Sequence, residues 1–162
     1  IESVNRALQS HGVDSHRILL EITEGAMLRV GEDTERKMQA LSRMGVRVAI
    51  DDFGTGYSSM AYLKLPAVAF LKIDRSFIKD LSDENDSAAI VRAIADLAQN
   101  LRIDTTAEGV ETREQQRIAK ALGCTEMQGY LFSHPKPKAA IAGLFAASAS
   151  PPVLRKMARS MF

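Results

Sequence analysis

Six polar residues carry most of the chemical potential of this sequence: Glu21, Asp51, Asp52, Lys72, Glu108 and Gln128. They follow five short apolar runs, Ile18-Leu19-Leu20, Val46 to Ile50, Val68 to Leu71, Ile103 to Ala107, and a weaker one at Thr125-Glu126-Met127. Carboxylates with no histidine or cysteine beside them favour a hard, oxygen-seeking cation such as magnesium or manganese over zinc. His11, His16 and His134 stand at no metal-ligand spacing. Two such cations, about 3.5 to 4 Å apart and bridged by a carboxylate, stabilise both the attacking water and the leaving oxygen of a phosphodiester. Asp51 is the candidate bridge. No serine sits in a nucleophile elbow, and Cys124 follows a glycine with no evident activating partner. Hydrolysis by water activated on a divalent cation is the simplest chemistry these residue types support.

Taken alone, each of these residues also has a plainer reading. An acidic pair such as Asp51-Asp52 serves equally well as the cap of a turn or helix. Adjacent strand residues point to opposite faces, so the two carboxylates share a pocket only if the strand ends there. Phe53-Gly54-Thr55-Gly56 supplies glycines able to make that bend. Gly54 and Gly56 begin a dinucleotide-binding fingerprint, but Ser59 stands where its third glycine belongs. Glu21 reads singly as a solvated strand end, and Lys72 as a surface lysine with its stem packed along the sheet. Glu108, between Ala107 and Gly109, has room around its carboxylate for a ligand. Glu24 and Glu111 either cap helix starts or brace the site, and are taken as supporting groups.

The elements that must position these groups alternate in a regular way. Amphipathic segments at Asp33 to Met44, Ser87 to Leu101 and Arg113 to Leu122 separate the apolar runs, with apolar residues recurring at three- and four-residue steps. Thr112 with Gln115 fits a capping box, and Gly45 and Gly123 sit where helices would stop before a strand. Repeated strand-helix units predict an α/β fold around a parallel sheet. In a β/α barrel the C-terminal strand ends share one rim, and the polar residues after the apolar runs would converge there. About five βα units are legible, an incomplete TIM-like barrel.

The chain has 162 residues, 46% hydrophobic and 25% charged, enough for one domain or a piece of one. Its 21 Lys+Arg against 20 Asp+Glu give no bulk attraction to DNA, RNA or anionic membrane. One cysteine excludes an internal disulfide, and no apolar stretch reaches the length of a membrane span. A cytoplasmic domain is expected, compatible with a parent protein tethered to the inner membrane elsewhere. The chain opens Ile1-Glu2-Ser3 without Met or a signal-peptide pattern, so upstream sequence is expected. Residues 148–162 read as a Pro-containing linker and a short basic amphipathic tail, with Leu154, Met157 and Met161 on one face and Arg155, Lys156 and Arg159 on the helix. That leaves residues 1–147 as the barrel portion.

Five ordered motifs then stand out: Leu20-Glu21-Ile22-Thr23-Glu24, Asp51-Asp52-Phe53-Gly54-Thr55-Gly56-Tyr57-Ser58-Ser59, Lys72-Ile73-Asp74, Ala107-Glu108-Gly109-Val110-Glu111-Thr112 and Gln128-Gly129-Tyr130. Together they resemble the EAL domain, a family of cyclic di-GMP phosphodiesterases of bacterial signalling that open the ring to the linear dinucleotide with magnesium or manganese. The resemblance implies that Glu21 and Asp51 ligate a first metal, and that Asp51, Asp52 and Glu108 surround a second. It casts Lys72 as the residue that positions the attacking water, and Glu108 as general base as well as ligand. It makes Gln128 and Gly129 substrate-contacting, and Glu111 a supporting acid. The loop Asp52 to Ser59, with Phe53, Gly54, Thr55 and Gly56, is implied to link metal binding to homodimer formation, braced by Thr23 and Glu24.

The resemblance also implies what lies before Ile1: the Glu-Ala-Leu motif and an asparagine, each a ligand of the first metal, and the first strands of the barrel. The chain by itself is therefore expected to be weakly active or inactive, and the intact parent to be the enzyme. His134 and Lys136, in Ser133-His134-Pro135-Lys136-Pro137, depart from the family pattern. The alternative reading is a catalytically inactive cyclic di-GMP receptor or a protein-interaction module. Retention of Asp51, Asp52, Lys72 and Glu108 favours the enzyme.

Overall fold

Alternation within the strands decides which residues meet. In the computed structural model, which describes residues 1–27, 31–56, 60–83 and 85–147, the first strand β1 spans Leu19–Thr23, followed by β2 Arg47–Phe53, β3 Val68–Ile73, β4 Asp104–Glu108 and β5 Glu126–Gln128. All neighbouring strands pair in parallel, in the order β1-β2-β3-β4-β5. An order that never reverses is that of consecutive βα units in a barrel, whereas a doubly wound sheet turns back at a switch point. The fold is α/β, five units of an incomplete TIM-like (β/α) barrel.

The helices are α1 Glu2–His11, α2 Glu24–Met27, α3 Glu32–Arg43, α4 Arg75–Lys79, α5 Asp86–Leu101, α6 Arg113–Ala121 and α7 Lys138–Ala147, with short 3-10 turns at Ser15–Arg17 and Met60–Lys64. The chain groups into two compact units, Ile1–Phe132 and Ser133–Phe162, and α7 belongs to the second. The expected linker and basic tail at 148–162, and Tyr57, Ser58 and Ser59 of the long motif, lie outside the described residues.

The three helices expected from periodicity form within a residue or two of their predicted ends. The capping box of α6 is complete: Thr112 Oγ1 accepts from the Gln115 N–H at 3.1 Å, and Gln115 Oε1 accepts from the Thr112 N–H at 2.9 Å. Gly45 and Gly123 take φ of +79° and +98° just beyond α3 and α6, the left-handed step with which a helix hands over to a strand. Each strand runs further than its apolar run. Glu21 lies within β1, and Lys72 and Glu108 are still paired, rather than standing beyond the strand ends.

Alternate residues of each strand divide the sheet into two faces. Val48, Ile50, Leu71, Ile73 and Ala107 are fully buried on one face, in a core shared with Met38 and Leu41 of α3, Val91, Ile94 and Ala98 of α5 and Ile118 of α6. Each large aliphatic side chain so buried contributes about 1.5–3 kcal/mol. The opposite parity carries Glu21, Asp51, Lys72, Glu108 and Gln128, one from each strand.

Candidate active site

The second carboxylate reaches the site by a route that composition did not reveal. Between Ile50, which pairs with Leu71, and Phe53, which pairs with Ile73, β2 spends three steps where β3 spends two. The extra residue is a bulge, and Asp52 itself takes the left-handed conformation at φ +54°. The bend is shared by Asp52 and by Gly54 at φ +97°, with β2 ending at Phe53 between them. Phe53 returns to the core at 2% exposure. The bulge lets two adjacent carboxylates serve one site. Asp51, Asp52 and Glu108 each offer an oxygen, all within 4.8 Å of one another.

Lys72 sits at the centre of the cluster. Its Nζ lies 2.9 Å from Glu21 Oε2, 2.9 Å from Asp51 Oδ1 and 2.9 Å from Glu108 Oε1. Each partner comes from a different strand, and the lysine side chain is only 8% exposed. Burial by itself would lower the proton affinity of this amine, but the carboxylates of Glu108, Asp51 and Glu21 outweigh it and hold the ammonium well above the ordinary lysine range. Burial raises the Glu108 carboxyl above its usual range; Lys72 opposes that rise, and the negative charges of Asp51 and Glu21 add to it.

The donor set fits a divalent cation. It is all oxygen, which suits magnesium or manganese. Asp51 Oδ1 is buried and faces the Lys72 ammonium at 2.9 Å. Asp52 is exposed and opens the cluster to solvent.

A cleft of about 500 Å³ leads onto these carboxylates, lined by Asp52, Glu108, Glu111, Gln128 and Gly129 among the expected residues. Asp74, Arg75 and Tyr130 line it too. The chemistry of these three residue types signalled no role; they stand inside two of the motifs or next to them, and that adjacency is the signal the sequence offers. Asp74 also caps α4, its Oδ1 accepting from the Ser76 N–H at 2.9 Å, and this bonding holds its carboxyl below the usual range despite partial burial. Gln128 sits opposite Glu108 in the β4–β5 register. Gly129 approaches Val110 so closely that a Cβ would overlap the Val110 carbonyl oxygen. Glu111 is exposed, with its N–H donating to Gln115 Oε1 at 2.8 Å, so the α6 capping box also sets its position.

The supporting residues fall in two places. Glu24 is 2% exposed; it accepts from the Gly54 N–H at 3.0 Å and from the Tyr62 hydroxyl at 3.2 Å. It thereby ties down the chain just after Asp52, with Gly56 close beside its carboxylate. Thr55 Oγ1 donates to the Asp52 carbonyl at 2.8 Å and tightens the same turn. Thr23 pairs with Asp51 in the β1–β2 register and is exposed.

Comparison with known proteins bears on this geometry. Residues 1–135 match the family model described as EAL domain. The chain is 44% identical over 137 residues to the bifunctional diguanylate cyclase/cyclic di-GMP phosphodiesterase MucR of Pseudomonas aeruginosa, a match covering 85% of this chain and 20% of that protein. The solved structure of the PaMucR phosphodiesterase in complex with c-di-GMP superposes with a TM-score of 0.82 at 44% identity, over 86% of this chain and 62% of that one. The manganese and cyclic di-GMP complex of BlrP1 from Klebsiella pneumoniae superposes with a TM-score of 0.76 at 30% identity, over 83% of this chain and 34% of that one. The chain thus spans about a fifth of the length of MucR.

Proposed function

The chain belongs to the EAL domain family, and from that premise we propose that it forms the carboxylate-bearing part of a domain that hydrolyses cyclic di-GMP to the linear dinucleotide with two divalent cations, magnesium or manganese. The observation that carries the proposal is the convergence of Glu21, Asp51 and Glu108 on Lys72 at 2.9 Å each, with Asp52 drawn in by the bulge. Glu21 and Asp51 would hold one cation, and Asp51, Asp52 and Glu108 the other. When bound, the pair would supply charge stabilisation to the attacking and leaving oxygens of an in-line displacement.

The protein's own groups do the rest. Glu108, whose proton affinity burial raises, is suited to take the proton of the attacking water. Lys72, as an ammonium, would orient that water with an N–H that a bound cation frees from the carboxylates. Gln128 and Gly129, in the wall of the cleft, contact the dinucleotide. Glu24 keeps Asp52 in place through Gly54. We place the domain in the cytoplasm and take it to dimerise through the region of residues 52–59. Among the described residues no helix is long and apolar enough to cross a membrane.

The test is replacement of Glu108 by Gln in the full-length parent, followed by assay of the linear product with cyclic di-GMP and magnesium. Turnover should fall by more than tenfold, a loss above about 1.4 kcal/mol of transition-state stabilisation. Turnover within tenfold of the unaltered protein would exclude Glu108 as the general base.

A further inference from the structure

Lys72 is more than a bystander to cation binding. An ammonium carries three N–H donors, and here each faces a carboxylate on a different strand, Glu21 on β1, Asp51 on β2 and Glu108 on β4. The lysine's own backbone is held between Leu71 and Ile73, both fully buried. Three carboxylates around one ammonium leave the cluster with surplus negative charge, so it attracts a further cation. Asp52, exposed and with no ion pair to Lys72 among the described residues, shares with Asp51 and Glu108 the compact group of oxygens best suited to receive one. A divalent cation at that group draws on two of the three carboxylates that now hold the ammonium.

Building on the proposed divalent-cation site, we infer that the Lys72 ammonium contends with the divalent cation for Asp51 and Glu108, and so sets how tightly the cation is held. The lysine acts as a built-in counter-ion. It keeps the carboxylates together without a metal, and a cation binds by the margin with which it outcompetes the lysine. Methylenes of the lysine stem give the head group somewhere to move while its backbone stays fixed. The role is one of positioning, distinct from orientation of water, and it has a signature that activity does not report.

The experiment compares the unaltered protein with Lys72→Met, a neutral chain of similar length, by calorimetric titration with manganese chloride and by thermal melting in EDTA and in manganese. In EDTA the variant should melt at a lower temperature than the unaltered protein, because three carboxylates then face one another without their counter-ion. In manganese it should recover, with an affinity for manganese at least tenfold higher than that of the unaltered protein. Equal or weaker manganese affinity in a folded variant would overturn the inference and leave the metal site standing. Absence of manganese uptake by both proteins would overturn the metal site and this inference with it. Should the variant fail to fold in EDTA, the unaltered protein decides the matter through the ¹H–¹⁵N signal of the Lys72 ammonium. Magnesium should shift or broaden that signal at saturation, and an unchanged signal overturns the inference.

Discussion

Glu24 shows how much a single side chain can do without touching substrate. A carboxylate at 2% exposure is costly unless its oxygens are used, and here they receive the Gly54 N–H and the Tyr62 hydroxyl. The bond to Gly54 fixes the turn that begins at Asp52, whose left-handed backbone is uncommon for an L-residue, though less costly for aspartate than for most. Replacing Glu24 by Ala should cost about 2–3 kcal/mol, since both donors lose a charged acceptor. Urea denaturation checks the magnitude, and faster amide exchange at Gly54 checks the cause. The sequence left Glu24 open between a helix cap and a brace of the loop, and its burial was not legible, because that depends on partners thirty and more positions away. Glu21, Asp51, Lys72 and Glu108 were legible for the opposite reason: each follows an apolar run in register with the others, and parallel pairing turns that linear phase into proximity.

At the scale of elements, the strands and the longer helices could be read from periodicity, and α6 could be read nearly to the residue because its capping box is local chemistry. Two of the elements that escaped notice offer less to read: helix α1 half-buries only Val4 and Leu8 against the core, and α4 has only five residues. The bulge in β2 escaped because its left-handed residue is an aspartate and not a glycine. The turn after β5 gives a sharper test of backbone packing. In Gly129→Ala the new methyl group overlaps the carbonyl oxygen and the nitrogen of Val110, backbone atoms that cannot swing aside. The loss of stability should approach or exceed about 3 kcal/mol, the upper end for overpacking. Its measure is the shift in the denaturation midpoint, and a loss below about 1 kcal/mol would mean that the turn relaxes freely.

At the scale of the whole molecule, five strands follow one another around a barrel that in full has eight. The match to PaMucR covers 62% of that solved chain, so we take activity to be a property of the longer domain. Full-length parent and this chain, incubated side by side with cyclic di-GMP and magnesium, should differ: linear product from the former and little from the latter. Equal rates would mean that these 162 residues already hold every group the reaction needs.

The site draws on every strand, Glu21 of β1 first and Gln128 of β5 last, with β2 giving two carboxylates. A ribosome delivers those groups in the same order, so a growing polypeptide that has not yet released Glu108 lacks the proposed general base, and one lacking β2 has no bridging aspartate. Under the proposed function, a polypeptide cut between β3 and β4 would lack Glu108, Gln128 and Gly129, and should hydrolyse no cyclic di-GMP however much of the preceding domain it carries.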